Sequence, residues 1–224
     1  MIKIDSQLLW QITAIGGWLF LVLWLGNVIK QVYDRPELTR KFVHIGTGNV
    51  ILLAWGLNCS LPLCLVFSIL FTVIAYLSYS TNILPMLNGI GRDTRGVFYY
   101  ALSITCLVAL FWGQGKPEFA TIGIMMMSWG DGLAALVGQR WGRHKYWIGN
   151  NQRSIEGSLT MFVVSSGVTT IILWLSNYPL AWLIAVPSAL VATALEAVSV
   201  GGTDNLTVPL FGSLVAYWLV FGSF

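Results

Sequence analysis

Apolar runs punctuated by short polar segments divide the chain into eight stretches: 7–29, 42–57, 61–78, 97–113, 118–138, 158–176, 180–200 and 205–222. Each approaches the roughly 20 residues an α-helix needs to cross the hydrocarbon core of a bilayer. The pattern predicts an all-α, polytopic helical membrane protein with about eight transmembrane helices. The 57–61 and 176–180 connections are short enough for helical hairpins. No soluble domain, low-complexity tract or clear internal repeat interrupts the pattern, so residues 1–224 read as a single integral membrane domain.

Composition narrows this. Of the 224 residues 56% are hydrophobic and only 9% are charged, with a mean hydropathy of +0.75. A soluble domain carries about 25% charged residues, so this chain could not cover a water-facing surface. A net charge of +3 is too small to suggest nucleic acid. Cys59, Cys64 and Cys106 show neither CxxC spacing nor an even-numbered framework, and they read as small apolar side chains. The start, MIKIDSQLLW, lacks the basic region of a signal peptide and the Arg/Ser-rich character of a transit peptide. The first apolar run is therefore expected to remain as a membrane helix.

Charge then gives the orientation. Threading eight spans puts ten of the 12 Lys and Arg on one side: Lys30, Arg35, Arg40, Lys41, Arg92, Arg95, Arg140, Arg143, Lys145 and Arg153. Lys3 and Lys116 fall on the other. The positive-inside rule makes the 30–41, 79–96 and 139–157 loops cytoplasmic and both termini external. Six of the 11 tryptophans, Trp10, Trp55, Trp112, Trp174, Trp182 and Trp218, then lie near outer helix ends like an interfacial belt.

Against that frame the run IGIMMMSWGDGLAALVGQRWG, Ile122 to Gly142, holds one acid in apolar surroundings. Asp131 is expected about two turns inside the cytoplasmic end of the fifth span. Glu196 lies near the same end of the seventh, Asp204 opens the eighth, His44 opens the second, and Glu156 and Asp93 fall in cytoplasmic loops. A carboxylate in the membrane costs roughly 2.5–3.5 kcal/mol on insertion scales, so it faces a partner or a wet cavity. One reading pairs Asp131 with Arg140 or Arg143 as a lock on helix packing. The convergence of acids and bases on one face favours a site for a metal and a polyphosphate.

Asp131, Ala134, Gly138 and Gly142 form one helical stripe at i, i+3, i+7 and i+11. Such small residues admit a neighbouring helix or leave room for a bulky anion. The following GQRWGRHKYWIGNNQRSIEGS favours the anion, since Arg140, Arg143, Lys145 and Arg153 can bind phosphate and the Glu156–Gly157–Ser158 helix start suits a negative ligand. The same bases could instead meet acidic lipid headgroups. No P-loop and no GxSxG sequence is present, and His144 near Ser154 has no evident third partner for a catalytic triad.

The chain resembles the CTP-dependent polyprenol and phytol kinases, a membrane family that includes dolichol kinase. The resemblance is carried by RKFVHIGTG (Arg40 to Gly48), RDTRGVFYY (Arg92 to Tyr100), DGLAALVGQRWG (Asp131 to Gly142), QRSIEGS (Gln152 to Ser158) and ALEAVSVGGTDNLTVPL (Ala194 to Leu210). Arg153 stands where the family commonly has lysine. The compact chain and the RKFVHIGTG wording look most like the phytol kinases of photosynthetic organisms, and the missing transit peptide suggests a cyanobacterial cell or thylakoid membrane. The resemblance implies phosphoryl transfer from CTP, or another nucleoside triphosphate, to an isoprenoid alcohol such as phytol, feeding phytyl diphosphate and tocopherol synthesis. It implies Mg2+ on Asp131, with Glu196 or Asp204 as further ligands. Asp131, His44, Glu156 and Lys41 become the candidate catalytic residues. Gly138, Arg140, Gly142, Arg143, Lys145, Arg153, Ser154, Gly157 and Arg40 become the candidate nucleotide-binding residues. His44 could take the alcohol proton, contact phosphate, or cap a helix. The acceptor would lie in an apolar and aromatic tunnel.

The nearest alternative is a CTP:phosphatidate cytidylyltransferase, whose signature also has an Asp-led glycine stripe and a downstream S/T-x-E-G. The short RSIEGS without an S-P-K-K-T block favours the kinase. A transporter is more distant, because the acids cluster at one face and no paired halves with interrupted helices are evident.

Overall fold

A computed structural model describes residues 6–33, 35–81, 95–149 and 151–222. Lys3, Arg92 and Asp93 lie outside the described residues. The helices are α1 (Ser6–Tyr33), α2 (Pro36–Gly48), α3 (Val50–Gly56), α4 (Leu61–Thr81), α5 (Gly96–Leu107), α6 (Pro117–Met125), α7 (Gly132–Trp141), α8 (Ile155–Leu175), α9 (Ala181–Val198) and α10 (Asp204–Phe221). Two π-helical segments interrupt them: Val108–Trp112 continues α5, and Met126–Asp131 joins α6 to α7.

Among the described residues six continuous helices are long and apolar enough to cross a membrane, and Gly96–Trp112 is a shorter apolar seventh. The eighth expected span is the α2–α3 pair, interrupted at Asn49. The all-α polytopic expectation therefore holds, with one boundary corrected. Pro36 occupies the first turn of α2, where its missing N–H is harmless. The helix thus begins before residue 42, and His44 sits inside it rather than opening it or capping its end.

Burial identifies the axis of the bundle. In the continuous helix Pro117–Trp141, 72% of the membrane window is buried, against 17% in α1 and in α4. Its 25 residues span about 37 Å, more than the roughly 30 Å hydrocarbon core. Asp131 lies ten residues before its end, about 15 Å along the axis and nearer three turns than two.

Small residues bring the neighbours in. A Cβ on Gly26 would sit 2.7 Å from Val43 Cγ2, and one on Gly46 would sit 2.6 Å from Val22 Cγ1. Those two glycines let α1 and α2 cross closely, and Trp18 Nε1 donates to Gly46 O across the seam at 2.7 Å.

The segment after α7 was expected to be a loop, and it is a β-hairpin. Strand β1 (Lys145–Ile148) pairs antiparallel with β2 (Asn151–Ser154), closing at Ile148↔Asn151 with Gly149 at φ +56°. Glycine supplies that left-handed turn without strain. Ser154 then caps α8, its Oγ accepting from Gly157 N at 3.1 Å.

At the opposite end Trp112 is buried, with its indole N–H donating to Cys59 O at 2.9 Å. It is therefore not part of a lipid-facing belt, whereas Trp10, Trp174, Trp182 and Trp218 are more than half exposed. Tyr178 OH donates to the buried Glu118 Oε1 at 2.8 Å there, an acid the sequence reading left unplaced.

Candidate active site

Among the described residues two charge clusters form at the basic end of the bundle, the first buried and the second partly so. In the first, Lys41 of α2 reaches Asp131, the last residue of the π segment, with Nζ 2.6 Å from Oδ2. His44 lies one turn on from Lys41, its Nε2 3.7 Å from the same oxygen and 3.2 Å from Met127 O. A carbonyl only accepts, so His44 Nε2 is the protonated nitrogen. The partner of Asp131 is thus Lys41, not Arg140 or Arg143. The π segment adds a residue to the turn, and such insertions recur at functional sites.

In the second cluster Arg153, at the end of β2, reaches both remaining acids. Its Nη1 is 2.5 Å from Glu196 Oε1 and its Nη2 is 3.7 Å from Asp204 Oδ2. Nη2 also donates to Glu196 O at 3.1 Å and Ser199 O at 3.4 Å. Asn151 Nδ2 donates to Ser199 O at 3.2 Å, tying the hairpin to the end of α9. Asn205 Nδ2 donates to Gly96 O at 3.1 Å, tying α10 to the start of α5. The clusters adjoin, with Asp131 within electrostatic range of Glu196 and Asp204.

The other bases are arranged differently. Arg140, Arg143 and Lys145 are exposed, and Lys145 Nζ donates to Gly138 O at 3.2 Å. Arg40 holds Glu37 in a two-pronged pair, with contacts of 2.6 and 3.0 Å. Glu156 braces the turn at His144, accepting from its ring Nδ1 at 2.8 Å and its backbone N–H at 3.2 Å. Of four bases expected to act alike, Arg153 is committed to carboxylates and three face outward.

The small-residue stripe is a packing seam. A Cβ on Gly138 would lie 2.9 Å from Ser154 Oγ and 3.5 Å from Gly157 Cα. A Cβ on Gly142 would lie 2.7 Å from the same hydroxyl, and one on Gly157 would lie 3.1 Å from Ala134 O. The space the sequence reading reserved for an anion is filled by the capped start of α8.

Among the described residues no three His, Cys, Asp or Glu side chains gather closely enough to form a metal cage. The chemistry of the cluster still suits a hard cation arriving with a polyphosphate, which needs one or two carboxylates from the protein. Lys41 and His44 both approach Asp131 Oδ2, so Oδ1 is the oxygen a ligand would meet. Arg153 Nε and Asn205 Oδ1 are buried without hydrogen-bond partners, a donor and an acceptor beside the acids. Buried polar atoms rarely stay unpaired, which fits a ligand completing this site.

Sequence reasoning did not single out Thr47, Tyr100 or Ser128. Tyr100 OH donates to His44 O at 3.0 Å and lies 3.3 Å from Ser128 Oγ and 3.4 Å from Thr47 Oγ1. Thr47 and Tyr100 stand within the quoted motifs, but hydroxyl residues in apolar helices carry no periodic signal of their own.

Comparison with known proteins gives one consistent result. The chain is 46% identical over 183 residues to a phytol kinase of Synechocystis sp., covering 81% of this chain and 78% of that one. It is 30% identical over 219 residues to a probable chloroplastic phytol kinase 1 of Oryza sativa, covering 88% and 68% of the two. It is 28% identical over 234 residues to the chloroplastic phytol kinase 1 of Arabidopsis thaliana, covering 94% and 75%. No protein-family model and no solved structure matches the chain.

Proposed function

The chain belongs to the phytol kinase family, and on that premise we propose that it moves the terminal phosphoryl group of CTP, carried with Mg2+, onto the hydroxyl of phytol at the cytoplasmic membrane face. The observation that carries this reading is the buried Lys41–Asp131 pair, 6% exposed at each residue, beside the Arg153–Glu196–Asp204 cluster at the same end of the bundle. Phosphoryl transfer needs positioning and charge neutralisation more than covalent help, and the two clusters supply both.

Asp131 is the central group. Its Oδ1 meets the substrate hydroxyl or the metal, while Lys41 fixes the carboxylate through Oδ2. Asp204 is the second metal ligand, and Glu196 anchors Arg153. Bound Mg2+ supplies neutralisation of the charge that builds on the phosphate oxygens. Arg153 Nε donates to a phosphate oxygen. Arg140, Arg143 and Lys145, exposed on the aqueous side, attract the triphosphate and hold its outer charge. His44, with Nε2 engaged by Met127 O, orients the pair. Ser154, Gly138, Gly142 and Gly157 keep the hairpin tight over the mouth. Arg40 and Glu156 steady its two flanks through Glu37 and His144.

The test uses purified protein in nanodiscs with CTP labelled on both the cytosine and the terminal phosphate, and with phytol. CDP and labelled phytyl phosphate are expected. Pyrophosphate and a CDP-lipid would instead establish cytidylyl transfer. UTP, ATP and geranylgeraniol in the same assay rank donor and acceptor.

A further inference from the structure

Helix α4 packs along α5 and the π segment that follows it, whereas α1 packs on α2 and α3. Between these two groups lies a cavity of about 300 Å³. Its wall is hydrocarbon and aromatic almost throughout, with Ile15 and Ile51 on one side and Phe67, Phe71 and Ile104 on the other. Because Tyr100 and Val108 both line it, it runs about 12 Å along the α5 axis. Its volume falls at the lower end of the roughly 300–1,000 Å³ typical of ligand pockets.

The two ends differ. At one end Thr47, Gly48 and Tyr100 line the wall. There the Tyr100 hydroxyl meets Ser128 and Thr47, and the Tyr100 ring lies 4.5 Å from that of His44. His44 in turn faces Asp131 at 3.7 Å. Gly48 is what allows the polar groups to meet, since a Cβ there would lie 2.9 Å from Tyr100 OH and would collide with the Ser128 hydroxyl. At the other end Ala54 and Cys59 are small, buried and apolar. A chain with a single hydroxyl at its tip matches this gradient, whereas a lipid with a charged headgroup would have to bring its charge into the Thr47–Tyr100 end.

We propose that this cavity seats the hydrocarbon chain of the acceptor alcohol, with its hydroxyl at Thr47 and Tyr100 facing His44 and Asp131, and that Ala54 and Cys59 set the chain length accepted. The proposal rests on the kinase reading above. It accounts for how an acceptor dissolved in the bilayer reaches a buried carboxylate without the bundle opening.

Photolabelling tests it without turnover. A phytol analogue bearing a mid-chain diazirine is irradiated with the wild-type protein in nanodiscs, with no nucleotide present, and the adducts are mapped by peptide mass spectrometry. Adducts on α3, α4 and α5 that excess phytol removes are expected. Adducts confined to α7 or to the second apolar cavity, lined by Trp18, Phe42 and Leu136, would overturn the proposal. So would displacement by a diacyl phospholipid as effective as that by phytol.

Ala54→Trp provides the second arm. It is expected to lower kcat/KM for phytol at least about tenfold, the scale on which a filled apolar pocket discriminates. Turnover of geraniol, half as long, and the nucleotide KM should stay unchanged, which also shows that the variant folds. An equal loss for both alcohols, or no loss for either, would count against the chain seat. If the variant does not fold, the wild-type labelling decides. Wild-type protein that labels as expected yet transfers no phosphoryl group would remove the kinase reading and leave the cavity assignment standing.

Discussion

Lys41 Nζ lies 2.6 Å from Asp131 Oδ2, joining two helices across 90 residues of sequence. Both residues are about 6% exposed, so each charge depends on the other. Removing one partner of a buried pair costs about 3–5 kcal/mol, chiefly because the remaining charge is left bare. Lys41→Met should therefore lower the melting temperature in detergent and abolish phosphoryl transfer. Adding Asp131→Asn to it should restore much of the stability and none of the activity. Recovery of activity in the double variant would remove Asp131 from the chemistry.

Asp131→Asn alone tests the carboxylate more directly. The amide keeps the shape but cannot neutralise Lys41 or hold a metal. The variant should insert and elute as a folded species with a lower melting temperature, and with turnover lost in the labelled-CTP assay. Full activity would refute its role as ligand or base.

Arg153→Lys keeps the charge, but a single ammonium cannot span Glu196, Asp204 and two carbonyls at once. Losing one or two charged hydrogen bonds should cost about 2 kcal/mol in stability, read as a lower melting temperature with activity partly retained. Arg153→Ala, which leaves two acids uncompensated, should be markedly worse on both readouts.

The exposed bases should act on the nucleotide alone. Arg143→Ala with Lys145→Ala is expected to raise the nucleotide KM about fivefold, roughly 1 kcal/mol, and to leave the alcohol KM unchanged. Raising ionic strength in the wild type should mimic the change, because exposed charges are screened within about 10 Å at 0.1 M salt. A change confined to the alcohol KM would reassign this segment.

Gly138→Leu probes the seam between α7 and α8. Its added Cβ would fall 2.9 Å from Ser154 Oγ, and overpacking of this kind costs about 1–3 kcal/mol. The expected outcome is loss of thermal stability together with a raised nucleotide KM, as the hairpin lifts from its place. An unchanged melting temperature would show that the seam is not tight.

The apolar runs by themselves determined the helical membrane class, because a backbone in lipid must satisfy its hydrogen bonds in a helix or a closed barrel, and unbroken apolar runs of this length lack the alternation of barrel strands. The lone acid in an apolar stretch marked Asp131, since a carboxylate there must have a partner. The partner itself was not legible: Lys41 was grouped with a loop, and only the earlier start of α2 turns it inward. The glycine stripe was visible as a pattern, yet whether it received a ligand or a helix depended on what packed beside it. The tertiary structure also divided the basic loop, committing Arg153 to Glu196 and Asp204 while leaving Arg143 in water. Period and composition report what each segment buries, whereas the pairing of charges and the position of a cavity depend on which segments meet.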